Sequence, residues 1–481
     1  MTRKIIIGLL VIVLFSTTGA SCFNNTQTVK EKVTLTMWGV YDDASVYQPI
    51  IDTYEQLNTN ITINYVKKDY VTYEQETMNA LAAGKGPDIW MIRNDWVAAQ
   101  YDKLQPMTSG LFKKSESDTR TDIQIYEDTF PEIAAEDNII NNKIYGVPLS
   151  IDTLVVYYNK NHYSAKQGEL YSSNNTADGQ LFLTTPNNWE DFLKVSKMLT
   201  VKDASGNITR AGAALGTANN VNESYDILAA LMLQNKTEMT SADDLTATFN
   251  LPISKDTGQN TYPGTEALNF YTSFADSTKE NYMWNTSMPN SVEAFEQGKV
   301  SMIIDYGFLR NRLAQEAPNL NYAIGPLPQV PGDTTSTDYA SYWVQTVTNN
   351  CKYPGAAWKF IKYLSDNAET YDSATNRPSA KKVSNLLLPE TKQRAALGGN
   401  PLSYQPMTAA YWYKGIYPNQ VNSAFYTMIE DVIVNKQPLQ ISIDKAASTV
   451  TNLYKLSAES NAQTTATASS TAKATATSTA K

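Results

Sequence analysis

Histidine is almost missing from this chain and cysteine nearly so: His162 stands alone, and the two cysteines are Cys22 and Cys351. One histidine without a cysteine cluster leaves a zinc site or a serine–histidine triad nothing to stand on, and no cofactor or metal is expected. Basic charge is also scarce. With 39 Lys and Arg against 48 Asp and Glu, the net charge of −9 gives no footprint for nucleic acid. No GxxxxGK[ST] phosphate loop occurs, so ATP hydrolysis would need another subunit. The apolar run at the start, "IIIGLLVIVLF" over residues 5–15, is short of the roughly 20 residues a membrane-crossing helix needs.

That run follows Arg3 and Lys4 and reads as a signal peptide over residues 1–21. The small residues "STTGASC" and the polar linker behind them resemble a bacterial lipoprotein signal, which implies that Cys22 becomes the lipidated first residue and that 22–30 is a flexible leash. The other reading is an ordinary secretory peptide cut near Ala20 or Ser21. Gly19 stands where lipoprotein signals usually carry Leu. With Cys22 lipidated, Cys351 has no partner for an intramolecular disulfide, so stability must come from a core. Residues 457–481 are Ala/Thr/Ser low complexity, predicted to be a disordered tail. The roughly 430 residues between leash and tail imply two or more domains.

Strand and helix signals alternate along the chain. "KVTLTMW" alternates apolar Val33, Leu35 and Met37 with polar residues, and Val46, Ile50, Ile51, Tyr54 and Leu57 then fall on one helical face. "ITINYV" is the next strand, a helix over "TYEQETMNALAAG" ends at Gly84, and "PDIWMI" reads as a strand buried on both faces. Such βαβ order predicts an α/β fold with a parallel sheet. Ligands bind beyond the carboxyl ends of such strands, where Trp38, Asp42 and Asp43 follow the first strand and Asn94, Asp95 and Trp96 follow the third. The structural alternatives are that Asp42 caps a helix and that both tryptophans plug the rim of a core.

Seven stretches occur in a telling order: "VTLTMWGVYDD", "ALAAGKGPDIWMI", "NNKIYGVPLSIDTLVVYYNKNHY", "TTPNNWEDFLKVSKML", "ALGTANNVNESYDILAALMLQN", "SVEAFEQGKVSMIIDYG" and "GAAWKFIKYLSD". From about Val33 to Tyr454 the chain resembles extracellular solute-binding proteins of ABC sugar importers, the group that includes maltose-binding protein. The resemblance implies two α/β lobes of the periplasmic-binding-protein type, hinged around an interlobe cleft. Lobe I is expected at 31–149 plus 330–375 and lobe II at 150–329 plus 376–456, with the first crossing in "YGVPLSIDTLVVYYNK".

The same resemblance implies a set of ligand-binding residues: Asp152 after the hinge "VP", Asp95 after "GPDI", Gln234 and Asn235 from "MLQN", Asp305, Tyr306 and Phe308 after "SMIID", Trp284, Tyr342 and Trp343 of "ASYWV", and Tyr426 of "SAFY". Relatives that bind maltose have a carboxylate at the position of Asn235 and a tryptophan platform at that of Tyr426. Trp, Tyr, Asp, Asn and Gln together suit a neutral saccharide, whose C–H faces lie flat on rings and whose hydroxyls need paired donors and acceptors. An anionic ligand would want clustered arginines, whereas Arg93, Arg310 and Arg377 are scattered in sequence. Other residues read as structural: Asp88 as a turn anchor, Asn188 as a helix cap, Trp189 and Trp358 as core, and His162 at a turn.

The implied function is an extracytoplasmic, lipid-anchored protein, monomeric and not an enzyme. It would capture a carbohydrate, an oligosaccharide, by hinge closure and deliver it to ABC transporter permease subunits. Two alternatives stand beside it. One is a glycan-cleaving enzyme using two of Asp95, Asp152 and Asp305, since glycosidases need only two carboxylates about 5–10 Å apart. The other is a sensor or adhesin module on the same fold.

Overall fold

A computed structural model describes residues 31–113, 115, 117–167, 185–254, 260–382 and 399–478, the last stretch by its backbone alone beyond residue 458. The signal segment 1–21, Cys22 and the leash up to residue 30 lie outside the described residues.

The first three strands form as the alternation predicts. Val33–Gly39 buries Val33, Leu35 and Met37, while Ile89–Arg93 buries four successive residues because helices cover both of its faces. Val33–Gly39 pairs in parallel with Ile61–Lys67 and with Ile89–Arg93. Trp343–Thr348 then returns antiparallel beside Ile89–Arg93 and completes a six-stranded sheet with Leu104–Gln105 and Val147–Pro148. Helix Ala44–Leu57 turns Tyr47, Ile50, Ile51 and Tyr54 inward. Helix Tyr70–Ala82 is capped by Asp69, which accepts from Val71 and Thr72, and stops before Gly84 at a φ of +68°. Trp90 and Trp358 are fully buried in this lobe, where losing either ring costs about 3–5 kcal/mol.

The second sheet has seven strands in the order Ala409–Ala410, Asp338–Ser341, Asp152–Asn159, Val300–Tyr306, Ile208–Ala213, Val201–Lys202, with Tyr322–Gly325 also on Asp152–Asn159. Asp152–Asn159 and Val300–Tyr306 are buried at every residue. Their cover includes Trp189–Leu199, whose cap Asn188 accepts from the Asp191 N–H at 2.8 Å, and helices Ser224–Gln234 and Pro418–Ile433.

Each sheet has its own core, and the described residues change from one core to the other three times along the chain. Ile151 packs in the first core and Leu154 in the second, which puts one crossing at the expected hinge. The next crossing corrects the expected boundary at 330: Ser341 pairs with Asp152 in the second sheet, and Trp343 pairs with Arg93 in the first. The turn at Pro331 and Gly332 therefore lies within lobe II, and lobe I resumes at about 342 instead of 330. The third crossing also falls later than 376, because Ala380 still packs in the first core and Lys382 donates to the Thr129 carbonyl at 2.8 Å. Leu402 is already in the second core.

The last helix, Leu439–Ser478, carries its backbone through most of the segment expected to be disordered from 457. Alanine lowers the cost of extending an existing helix, a tendency that composition alone does not report. His162 lies in helix Lys160–Ala165 and not at a turn, with Asn159 as the cap.

Candidate functional site

The wall on lobe I starts where strand Ile89–Arg93 passes directly into helix Asn94–Gln100. Arg93 donates Nε to Asp95 Oδ1 at 2.6 Å and Nη2 to Oδ2 at 2.7 Å, a two-pronged pair with little exposure on either side chain. Burial opposes the charge on Arg93, but the Asp95 carboxylate more than offsets this and holds the guanidinium well above its ordinary pKa. Trp343, paired with Arg93 across the sheet, gathers four rings around it. Its centroid lies 5.8 Å from both Trp96 and Tyr41, edge-on, and 6.2 Å from Tyr70 and Tyr73. Tyr41 adopts a φ of +64°, a strained backbone for a bulky residue, and such strain clusters at functional sites.

The facing wall comes from lobe II. Strand Val300–Tyr306 leads into Gly307 and Phe308, and this turn is pinned by Asp152. Its Oδ1 accepts the N–H of Thr153 at 2.8 Å and of Gly307 at 2.9 Å, while Oδ2 accepts that of Phe308 at 2.7 Å. Burial pushes the Asp152 pKa up to about 6, against the pull of those N–H donors. A Cβ on Gly307 would stand 2.5 Å from Leu402 and 2.6 Å from Asp152 Oδ1, so the close approach requires glycine. The turn leaves Phe308 exposed and stacked on Tyr306 at 6.0 Å.

Behind these rings runs a charged layer. Tyr306 donates to Asp226 Oδ2 at 2.7 Å, and Lys414 Nζ lies 3.5 Å from Asp226 Oδ1 and 4.8 Å from the Tyr411 ring. Burial lowers the pKa of Lys414. Asp305 accepts from Asn222 Nδ2 at 2.7 Å, and burial raises its pKa. Glu223 precedes helix Ser224–Gln234 in the left-handed region, at a φ of +53°. Its pKa is raised by burial and by the carboxylates of Asp305 and Asp226, while Arg93 of lobe I pulls it down. Burial, and after it the neighbouring Tyr70 hydroxyl, raise the pKa of Tyr41, with Glu223 adding a smaller push in the same direction.

The sequence candidates divide accordingly. Trp343 is half-buried beside the buried Trp96 and the Arg93–Asp95 pair, while Phe308 is exposed at the end of the lobe II strand, with Asp305 and Tyr306 buried behind it and Asp152 holding the turn. Asp42 neither caps a helix nor faces the cleft: Arg377 holds it at 2.8 Å, with Tyr371 at 2.9 Å and Tyr47 at 3.3 Å. Asp43 is exposed and pairs with Lys67, and Trp38 takes the Lys68 ammonium over its ring at 4.1 Å. Gln234 and Asn235 close the helix that begins beside Glu223, about 16 Å away at 1.5 Å per residue. Gln234 binds Trp189 Nε1 and the carbonyls of Pro328 and Thr337, and Asn235 binds the Pro263 carbonyl. Trp284 is buried in the lobe II core with its Nε1 on Asn220, and Tyr426 lies on the exposed side of its helix. Tyr342 is buried with its hydroxyl on Asp137.

Sequence reasoning did not single out Tyr70, Glu223, Asp226, Tyr411 and Lys414, which the structure gathers here. The usable signal was Glu223 behind an Asn-rich turn and ahead of an apolar helix, which is the placement of a carboxylate at a helix start.

The sugar-binding protein MalE from Xanthomonas citri has the same fold, with a TM-score of 0.66 at 17% identity, covering 88% of this chain and 97% of its own. The cyclic alpha-maltosyl-1,6-maltose binding protein from Arthrobacter globiformis matches with a TM-score of 0.66 at 18% identity, over 88% and 99%. Both carry the two-lobe architecture seen here. The maltodextrin-binding protein MdxE of Bacillus subtilis is 23% identical over 343 residues, 66% of this chain and 69% of its own length. The family model for bacterial extracellular solute-binding proteins matches residues 39–371, and this chain belongs to that family.

Proposed function

We propose that this protein captures a carbohydrate, an oligosaccharide, between its lobes and hands it to the permease of an ABC importer. The observation that carries this reading is the pairing of materials across the cleft. Tyr41, Tyr70, Trp96 and Trp343 gather on lobe I, Tyr306 and Phe308 stack on lobe II, and Asp95 and Glu223 stand among them. Rings that accept sugar C–H faces beside carboxylates that accept hydroxyl protons form a saccharide site. The relatives' named ligands, maltodextrin and a cyclic maltosyl-maltose, support the class.

The internal ion pairs favour a neutral solute. Arg93 is matched by Asp95 and Lys414 by Asp226, so neither cation is left over for an anionic ligand.

Anchoring belongs to the same proposal. Lipid on Cys22 and the leash behind it keep the protein at the outer face of the membrane as a monomer. Solute favours the closed form only to the extent that it binds that form more tightly. Calorimetric titration with malto-, galacto- and manno-oligosaccharides tests the reading: saturable heat with one series supports it, and heat with an amino acid, peptide or polyamine in place of every sugar overturns it.

A further inference from the structure

Asn419 stands at the start of helix Pro418–Ile433, which packs on lobe II, yet its side chain meets lobe I from two directions. Its Oδ1 accepts from Arg93 Nη2 at 3.1 Å, and its Nδ2 donates to Glu74 Oε2 at 2.9 Å. Arg93 ends the lobe I strand and Glu74 lies on helix Tyr70–Ala82. An amide is the side chain that offers oxygen to a cation and nitrogen to a carboxylate at once. Aspartate here would face Glu74 with like charge, and lysine would face Arg93.

The same Arg93 nitrogen also holds Asp95 Oδ2 at 2.7 Å, and Asp95 accepts from the lobe II hydroxyl of Tyr411 at 3.1 Å. Two interlobe contacts therefore share one ion pair on the cleft wall. We propose that the Glu74–Asn419–Arg93 bridge is a rim clasp that sets how much of the protein is closed before solute arrives. Through Asp95, the clasp also ties closure to occupation of the wall. It rests on the two-lobe reading of the site and not on the identity of the solute. Losing it shifts molecules to the open form and weakens apparent affinity as the closed fraction falls.

The test is small-angle scattering on the ligand-free full chain carrying Cys22→Ser. Asn419→Ala, Asn419→Asp and Glu74→Ala should each give a larger radius of gyration than the parent, with unchanged circular dichroism. The Asn419→Ala/Glu74→Ala double variant should be no more open than Asn419→Ala alone, because Asn419→Ala already removes both halves of the bridge. Affinity for whichever saccharide binds the parent should fall several-fold in Asn419→Ala. An unchanged radius in Asn419→Ala and Glu74→Ala, or a double variant more open than Asn419→Ala by the full effect of Glu74→Ala, overturns the clasp. Opening of the variants when no saccharide binds the parent upholds the clasp and removes the carbohydrate reading, so the two ideas fail separately.

Discussion

Arg93 holds both carboxylate oxygens of Asp95, at 2.6 and 2.7 Å, from a position only two residues away. The pair converts the end of a buried strand into a rigid, hydrogen-bond-accepting wall. It also explains why one polar burst follows "PDIWMI": its arginine orients its aspartate.

Removing one member of this pair leaves the other buried with less compensation. Arg93→Ala should cost about 3–5 kcal/mol in denaturant unfolding, and the Arg93→Leu/Asp95→Leu double variant should cost less than the single one. Equal midpoints for Arg93→Ala and the parent would show that the pair is not the anchor of this wall.

Asp152 acts through the turn it holds. Asp152→Ala strands the Gly307 and Phe308 N–H groups and should lower stability by about 2–3 kcal/mol while weakening solute binding through displaced Phe308. Gly307→Ala should mimic the binding defect, since its Cβ would collide with Leu402. Full affinity in both variants would remove the turn from the site.

Stability should fall as pH rises from about 4 to about 7, in part through Asp137. Its carboxyl receives Tyr342 Oη at 2.6 Å and Asn94 Nδ2 at 2.9 Å, and burial raises its pKa from 3.8 to about 7. In that window the unfolded chain has released the proton and the folded chain keeps it, so the folded state binds more protons and loses stability with rising pH. Above pH 7 this contribution levels off. Asp137→Asn should flatten the melting temperature against pH over the window; parallel profiles would contradict the assignment.

If Cys22 carries the lipid, Cys22→Ser should move the protein from the membrane pellet to the soluble fraction on cell fractionation. Persistent sedimentation with membranes would remove the anchor.

Periodicity was enough for strands Val33–Gly39, Ile61–Lys67 and Ile89–Arg93 and their helices, because local burial patterns fix them. Asp88, read as a turn anchor, instead ties the approach to the third strand onto the first, accepting the Thr36 N–H at 2.8 Å, while Trp189 and Trp358 are core as expected. Asp42 was illegible because its partner Arg377 lies 335 residues away. The same holds for the crossing at Ser341–Trp343, where two adjacent strands join different sheets, a division that local pattern does not mark. Tyr411, Lys414 and Asn419 come to the cleft only because the chain returns to lobe II after its third crossing.

The central claim is that the facing aromatic walls hold a saccharide. The most direct measurement is a thermal-shift screen of the soluble chain from residue 31 against mono- and oligosaccharides, run beside Trp343→Ala and Phe308→Ala. A ligand at one hundred times its dissociation constant adds about 2.7 kcal/mol, enough to raise the melting temperature by degrees. The account predicts a rise with one saccharide series that shrinks in both variants. A rise only with another class of solute, or a saccharide shift that both variants retain in full, would contradict it.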